Sequence, residues 1–265
     1  MAAGARGATD SAGVPWAGRT LLPNAFSGDD GSRPAALDAA LRSWAALAAR
    51  ADAAGEADRV ALLRAEAAVV AELSRARLFA PVVAVLGEVE VVAAGPAGDK
   101  SADMALALLT APDGRRGLPL FTDLPALAAW RDDARPVPVP AARAALSGVQ
   151  EECDVLVVDP AGPVRFVVRR SAFWAMAREV EWVPAAFDPE VVAAVAGSVA
   201  GLDAVRAVRC EPGSTAELRV VLGLVPGLDR EALDAVTDVV RRRLGDSAVV
   251  AERVESYELR LLPAP

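Results

Sequence analysis

Apolar positions along this chain change their period more than once. Leu37, Leu41, Trp44 and Leu47 recur at spacings of four, three and three, and Val60, Leu63, Ala67, Val70 and Leu73 do so at three, four, three and three. That is the helical repeat. Gly55 between the two stripes is a helix stop, so the spacing predicts a helical hairpin. From Leu78 a continuous apolar run reaches Leu86, Glu88 to Val92 is shorter and alternating, and Met104, Leu106 and Leu108 alternate with small or polar residues. These read as strands, and Pro81 places the first of them at a sheet edge or a strand start. Asp113-Gly114 between apolar stretches predicts a hairpin returning through Leu118 to Phe121.

Thr122-Asp123 supplies a cap, with Pro125 in the first turn, for a helix burying Leu124, Leu127 and Trp130. Residues 135–140, Arg-Pro-Val-Pro-Val-Pro, are held extended by proline, and 141–149 form a short helix. A buried strand over 154–158, a turn at 159–162, a partner strand over 164–168 and a helix near 170–178 complete a mixed sheet with helical cover. Residues 179–187 read as a linker. Asp188-Pro189-Glu190 then opens a helix to about Val199, followed by strands at 203–210 and 216–225. Asp229 caps a helix through Leu244, and a strand near 248–254 closes an α-β-β-α-β unit. The class is α+β. The expected organisation is a flexible leader or docking arm at 1–33, a first domain at 34–178, a linker at 179–187 and a smaller domain at 188–262.

Composition narrows the chemistry. The chain has 265 residues, 54% of them hydrophobic, with a net charge of −8 and no histidine. Histidine triads, Cys-His dyads and imidazole metal sites are therefore excluded. Two cysteines, Cys153 and Cys210, make neither a zinc cage nor a disulfide framework. Lys100 stands alone beside 27 arginines, isoleucine is absent, and Asn24 and Gln150 are the sole side-chain amides. A GC-rich codon supply explains that bias without reference to function. Residues 179–265 hold nine basic and fifteen acidic groups, and an acidic surface disfavours the nucleic-acid backbone. No apolar run is long enough for a membrane span and no secretory pattern opens the chain, so the expectation is a cytoplasmic protein.

Several local patterns have structural explanations. Gly95 to Ser101 has the flavour of a phosphate loop, but Asp99 stands where backbone N–H groups must wrap phosphate, and the reading is rejected. Asp159 ends an apolar strand, where α/β proteins put ligand contacts, although Asp-Pro-Ala-Gly is also an ordinary turn. Arg241-Arg242-Arg243 complements a helix end. Cys153 and Cys210 sit among apolar residues as small hydrophobes, and Trp130 and Trp174 fall at core spacing.

The ordered string of motifs resembles the N-terminal domain of the SseB family. The resemblance is carried by Leu78-Phe79-Ala80-Pro81-Val82, Asp99 to Ala105, Asp113 to Thr122, Trp130 with Ala134 to Val139, and Asp154 to Pro163. The leader, Trp16 to Arg19 and Phe26 to Ser32, looks like the family's actinobacterial branch, and residues 185–262 are similar in layout to its C-terminal domain. The family is named for serine sensitivity, and no catalytic residue set comes with the resemblance. It implies a cytoplasmic, two-domain α+β protein that is not an enzyme and carries no cofactor. The function expected is protein binding or an adaptor role, with homo-oligomers possible in principle and no nucleic-acid or membrane partner. Candidate surfaces are the leader, the sheet edge near Pro81 and the acidic C-terminal unit. Lys100, Asp103, Arg115, Arg116, Arg135 and Asp159 are the candidate ligand or partner residues. The alternatives are a small-molecule or anion sensor using Lys100, Arg115 and Arg116, and a carboxylate-based enzyme.

Overall fold

The computed structural model describes residues 26, 28–50, 55–84, 91–93 and 104–264. The chain divides into residues 1–31 and a compact unit, residues 32–265. Within the first, Asp29 accepts a hydrogen bond from the N–H of Gly31 at 2.8 Å. The rest of the expected leader lies largely outside the described residues.

Helices α1 (Ala35–Ala48) and α2 (Glu56–Arg75) pack on one another as the spacing predicts. Strands β1 (Arg77–Ala84), β2 (Val91–Ala93) and β3 (Met104–Ala107) follow, then β4 (Leu109–Thr110) and β5 (Arg116–Leu120). Helix α3 (Leu124–Trp130) is capped by Asp123, whose carboxylate accepts from the N–H of Ala126 at 2.7 Å. Its buried contacts are Ala126 and Leu127, whereas Leu124, expected inside, is 38% exposed. Strand β6 (Arg135–Pro140), α4 (Ala141–Gln150), β7 (Val155–Val158), β8 (Phe166–Val168) and α5 (Arg170–Ala177) complete this part.

The single mixed sheet expected from the sequence is two four-stranded sheets, ordered β2-β3-β1-β6 and β4-β5-β7-β8. They are stitched together where Phe79 and Phe121 exchange backbone hydrogen bonds of 2.8 and 2.9 Å. Strand β1 faces apolar neighbours on both sides. Leu78 and Ala80 join the core under α1, α2, α4 and α5, while Phe79 and Val83 join Leu127 and Phe121 under α3. A strand covered on both faces reads as a continuous apolar run.

Pro81 is the first correction: β1 lies between β3 and β6, not at an edge. Phe79 spends its backbone groups on Phe121, away from β6, so by alternation Phe79 and Pro138 form a non-bonded pair. The same phase holds for Pro81 opposite Pro136 and Arg77 opposite Pro140. The three prolines of β6 therefore aim their missing N–H groups at its free side, which is where a sheet tolerates proline and where it deters further strands.

The last part contains α6 (Pro189–Ser198), β9 (Val205–Pro212), β10 (Leu218–Leu224), α7 (Arg230–Gly245), α8 (Ala248–Arg253) and β11 (Tyr257–Pro263). Asp188 and Asp229 cap α6 and α7 as expected. The strand expected near 248–254 is instead helix α8, and the strand comes later. Val249 and Val250 have strand propensity, but Ser247 caps the segment through the N–H of Val250, and Val250 is buried among Val191, Val240 and Leu244. Tertiary burial decides against local preference here. The sheet order is β11-β10-β9, with β11 parallel to β10, and the α7–α8 crossover supplies the length a parallel connection needs.

Arg243, in the basic run at the end of α7, donates to the carbonyls of Ser198 and Ala200 at 3.0 and 2.8 Å. It thereby caps the C-terminal end of α6. Residues 179–187 are more than a tether, because Trp182, Ala185 and Ala186 are buried. Helix α2 contributes Val69, Val70 and Leu73 to the core under the first two sheets and Leu63 to the core of the β9–β11 sheet.

Candidate functional site

Two of the candidate residues, Lys100 and Asp103, lie outside the described residues. Arg115 projects from the hairpin turn and donates to Asp113 at 2.7 Å. Arg116 opens β5, its backbone N–H bonded to Asp154 at 2.8 Å and its Nε buried without a hydrogen-bond partner among the described residues. Arg135 opens β6 opposite Val82 and is exposed. Asp159 follows β7 and is fully buried. Parallel pairing of β5 with β7 puts Arg116 and Asp159 at opposite ends of the two strands, so these residues do not converge on one place.

Asp159 is the centre of a structural knot. It takes φ 49°, accepts from the Thr122 N–H and hydroxyl at 2.9 and 2.7 Å, and accepts from Arg33 at 3.0 Å. Burial pushes its carboxyl above the usual range, against the Thr122 bonds and the Arg33 charge. Arg33 also donates to the Thr122 hydroxyl at 2.7 Å and pairs with Asp123 at 3.0 Å. Every member is spent on holding the approach to α1 against the ends of β5 and β7.

The cysteines are equally committed. Cys153 and Cys210 are free thiols, each pushed up to about 11 by burial, far from the thiolate that reactivity requires. Among the described residues, no cluster of three or more Cys, Asp or Glu is arranged to hold a metal ion.

The arrangement with open chemistry lies elsewhere. A cleft of about 430 Å³ opens between α5, residues 178–188 and α8. Arg178 lies over the Trp174 ring at 5.4 Å and pairs with Glu252. Arg253 pairs with Asp188 and Glu190, each at 2.8 Å. The Trp182 indole N–H donates to the Ser171 hydroxyl at 3.2 Å, fixing the strap that carries Val180 and Val183. Those two valines are 55% and 37% exposed. Arg170 and Glu181 line the same cleft, and their charged groups make no ion pair among the described residues. Val180, Glu181 and Trp182 also line a second groove of about 630 Å³, together with residues of α2 and the start of α4.

Glu255 links the cleft to a buried charge cluster. Its carboxylate accepts from the Ser171 N–H at 3.2 Å, and its own N–H donates to Glu217 at 2.8 Å. Arg169 grips Glu66 through two donors at 2.6 and 2.9 Å and lies 3.9 Å from Glu217 Oε1. That oxygen is buried and has no hydrogen-bond partner among the described residues. Two carboxylates, those of Glu66 and Glu217, thus share one guanidinium, with the charge of Glu255 close enough to act on it as well. Burial pushes Glu217 up to about 7, with only part of the shift recovered by the Glu255 N–H and Arg169, and burial raises Glu66 as well.

The sequence reading missed this cluster, although a signal was present. Glu66 follows Leu63 by three residues and precedes Val70 by four, so a carboxylate occupies the apolar stripe of α2. A charge at such a position is buried and needs a partner.

The model of the SseB protein N-terminal domain matches residues 37–175, more than half of the chain. The chain belongs to the SseB family. The matched region covers most of α1 through most of α5, including Asp159, Thr122 and Arg169 but not Arg33, the strap, α8 or the last sheet. No curated protein and no solved structure matches the chain. No helix among the described residues is long and apolar enough to cross a membrane.

Proposed function

We propose that this SseB-family chain is a non-enzymatic, cytoplasmic adaptor that takes an extended, acidic-apolar segment of a partner protein into the α5–α8 cleft. The observation that carries the reading is the pairing of exposed Val180 and Val183 with Arg170, which makes no ion pair among the described residues, beside Trp174. Apolar anchors next to a guanidinium suit a peptide with a carboxylate flanked by aliphatic side chains. Most other polar groups at the cleft are already engaged with one another, which leaves no activated nucleophile or base in view. Residues 188–262 then serve as an SseB-like C-terminal domain whose α8 forms one wall.

A photo-crosslinker at Val183, used in the native cell, tests this. One partner should be captured, should bind the purified chain directly, and should be lost with Arg170→Glu while the fold is unchanged. Direct binding that is indifferent to Arg170→Glu and to Trp174→Ala would remove the cleft from consideration.

The anion-sensor alternative is supported by the buried, unpartnered Nε of Arg116. Calorimetric titration with inorganic phosphate, against Arg116→Gln, measures it. A binding signal abolished by that substitution would favour the sensor over the adaptor.

A further inference from the structure

Strand β11 is the outer strand of its sheet, and its pairing with β10 fixes which backbone groups are spent. The Leu218 N–H donates to the Ser256 carbonyl at 3.1 Å, and the Ala264 N–H donates to Leu224 at 2.7 Å. The register runs from Leu218 opposite Tyr257 to Leu224 opposite Pro263. In a parallel ladder each bonded residue bridges the two neighbours of its partner. Glu258, Arg260 and Leu262 therefore turn their N–H and C=O groups toward β10, and Tyr257, Leu259 and Leu261 turn theirs outward. Among the described residues no strand pairs with that outer side. Unlike β6, β11 has no proline before its last residue, Pro263, to block addition.

We propose that β11 pairs antiparallel with β11 of a second copy of this chain, centred on Leu259, to join two three-stranded sheets into one of six strands. The hydrogen-bond phase fits this centre. Leu259 falls opposite Leu259 and Tyr257 opposite Leu261, so every hydrogen-bonded pair consists of residues whose backbone groups point outward, and Glu258 opposite Arg260 is the non-bonded pair between them. The charges fit it too. Glu258 falls opposite Arg260 and Arg260 opposite Glu258, on the face away from α6–α8. Moving the centre by one residue would put Glu258 opposite Glu258 or Arg260 opposite Arg260, and like charges directly opposite one another are destabilising.

The monomer is prepared for this register. Glu258 accepts from the Ser214 N–H and from Arg219 Nε, both at 2.9 Å, and these bonds with that of Thr215 hold its carboxyl down to about 2. It is ionised and fixed in place. Arg260 is exposed and makes no ion pair among the described residues. On the other face, Tyr257 and Leu259 pack on the core while Leu261 remains 37% exposed, and the pairing covers Leu261 with the tyrosine of the second copy. The result is a closed two-fold dimer, the commonest oligomeric form.

Sedimentation velocity and light scattering on the full chain, across the micromolar range, test the proposal together with Arg260→Glu and Leu261→Pro. The first sets a carboxylate opposite Glu258. The second removes an outward N–H that β10 does not use. The wild type should show a concentration-dependent dimer, and each variant should weaken it about ten-fold or more with an unchanged circular-dichroism spectrum. If Leu261→Pro misfolds, the exposed Arg260→Glu carries the test alone. A photo-crosslinker at Leu261, in a mixture of isotopically light and heavy protein, should capture the Tyr257 peptide of the other copy. A wild type that stays monomeric, a dimer undiminished in Arg260→Glu, or crosslinks that map elsewhere would each overturn the proposal.

Discussion

Arg33 reaches across 126 residues of sequence to place a guanidinium nitrogen 3.0 Å from Oδ2 of Asp159. Arg33→Ala leaves that fully buried carboxylate with only Thr122 as a partner. Breaking one side of a buried charge pair costs about 3 kcal/mol, measurable by urea unfolding at pH 7. The loss has a pH signature. Removing the cation raises the Asp159 pKa further in the folded state, so the penalty applies while the group is ionised and shrinks as acid protonates it. The gap between variant and wild type should therefore narrow from pH 7 toward pH 4, and an equal gap at both would assign the loss to packing alone.

Glu217 is raised by burial in the same direction as Asp159. Its folded pKa, about 7, lies above the ordinary value of 4.5. The stabilisation tied to its neutral form is complete below pH 4.5 and is lost as pH rises through 7. Glu217→Gln keeps an acceptor for the Glu255 N–H without the buried charge. At pH 8 the variant is expected to be more stable than the wild type, by about 3 kcal/mol at most, and at pH 4 the two should match. Denaturant unfolding at both values measures this, with a residual slope in the variant from Glu66. A pH-independent difference would show that Glu217 does not titrate in this window.

The turn joining β9 to β10 depends on Gly213. A Cβ there would sit 1.9 Å from the Ala216 carbonyl oxygen, a backbone atom that cannot step aside. Gly213→Ala must open the turn that presents Ser214 to Glu258, and a loss above about 3 kcal/mol is expected. Gly197, inside α6, has nothing within 4 Å of its Cβ position. Gly197→Ala should instead gain about 0.5–1 kcal/mol from helix propensity. Thermal melts of the pair check both signs, and a harmless Gly213→Ala would mean that the turn adapts freely.

Elements set by local chemistry were legible in the sequence. The apolar spacing of α1 and α2 and the Asp caps before α3, α6 and α7 are encoded within a few residues. What escaped depends on partners distant in sequence. Pro81 signals an edge by itself, yet it fits an interior strand because the phase spares the β6 ladder and the pairing with β3 begins only at Val82. Val249 and Val250 read as strand until Val191 and Leu244 are brought beside them. Asp159 was legible as a turn residue, but its partner Arg33 was not, because ion-pair partners leave no periodic trace. The cleft was invisible for a related reason. Its walls come from α5, from α8 and from a strap that reads as a linker, and only Glu66 in the apolar stripe of α2 hinted at buried charge nearby.

Helix α2 seats Leu73 and Leu63 in different cores and lends Glu66 to Arg169 between them. Neither half of the compact unit can therefore melt while leaving its neighbour intact, because each would take away a side of the helix that the other uses. The four described tryptophans pack on the cores of the first two sheets and the single tyrosine, Tyr257, on that of the last, so in a Trp16→Phe background two natural chromophores report on the two ends separately. Their unfolding curves should superimpose, and a separation between them would mean that α2 releases Leu63 before Leu73. The boundary at which the family match stops, residue 175, is on this view a border in sequence and not a place where the molecule comes apart.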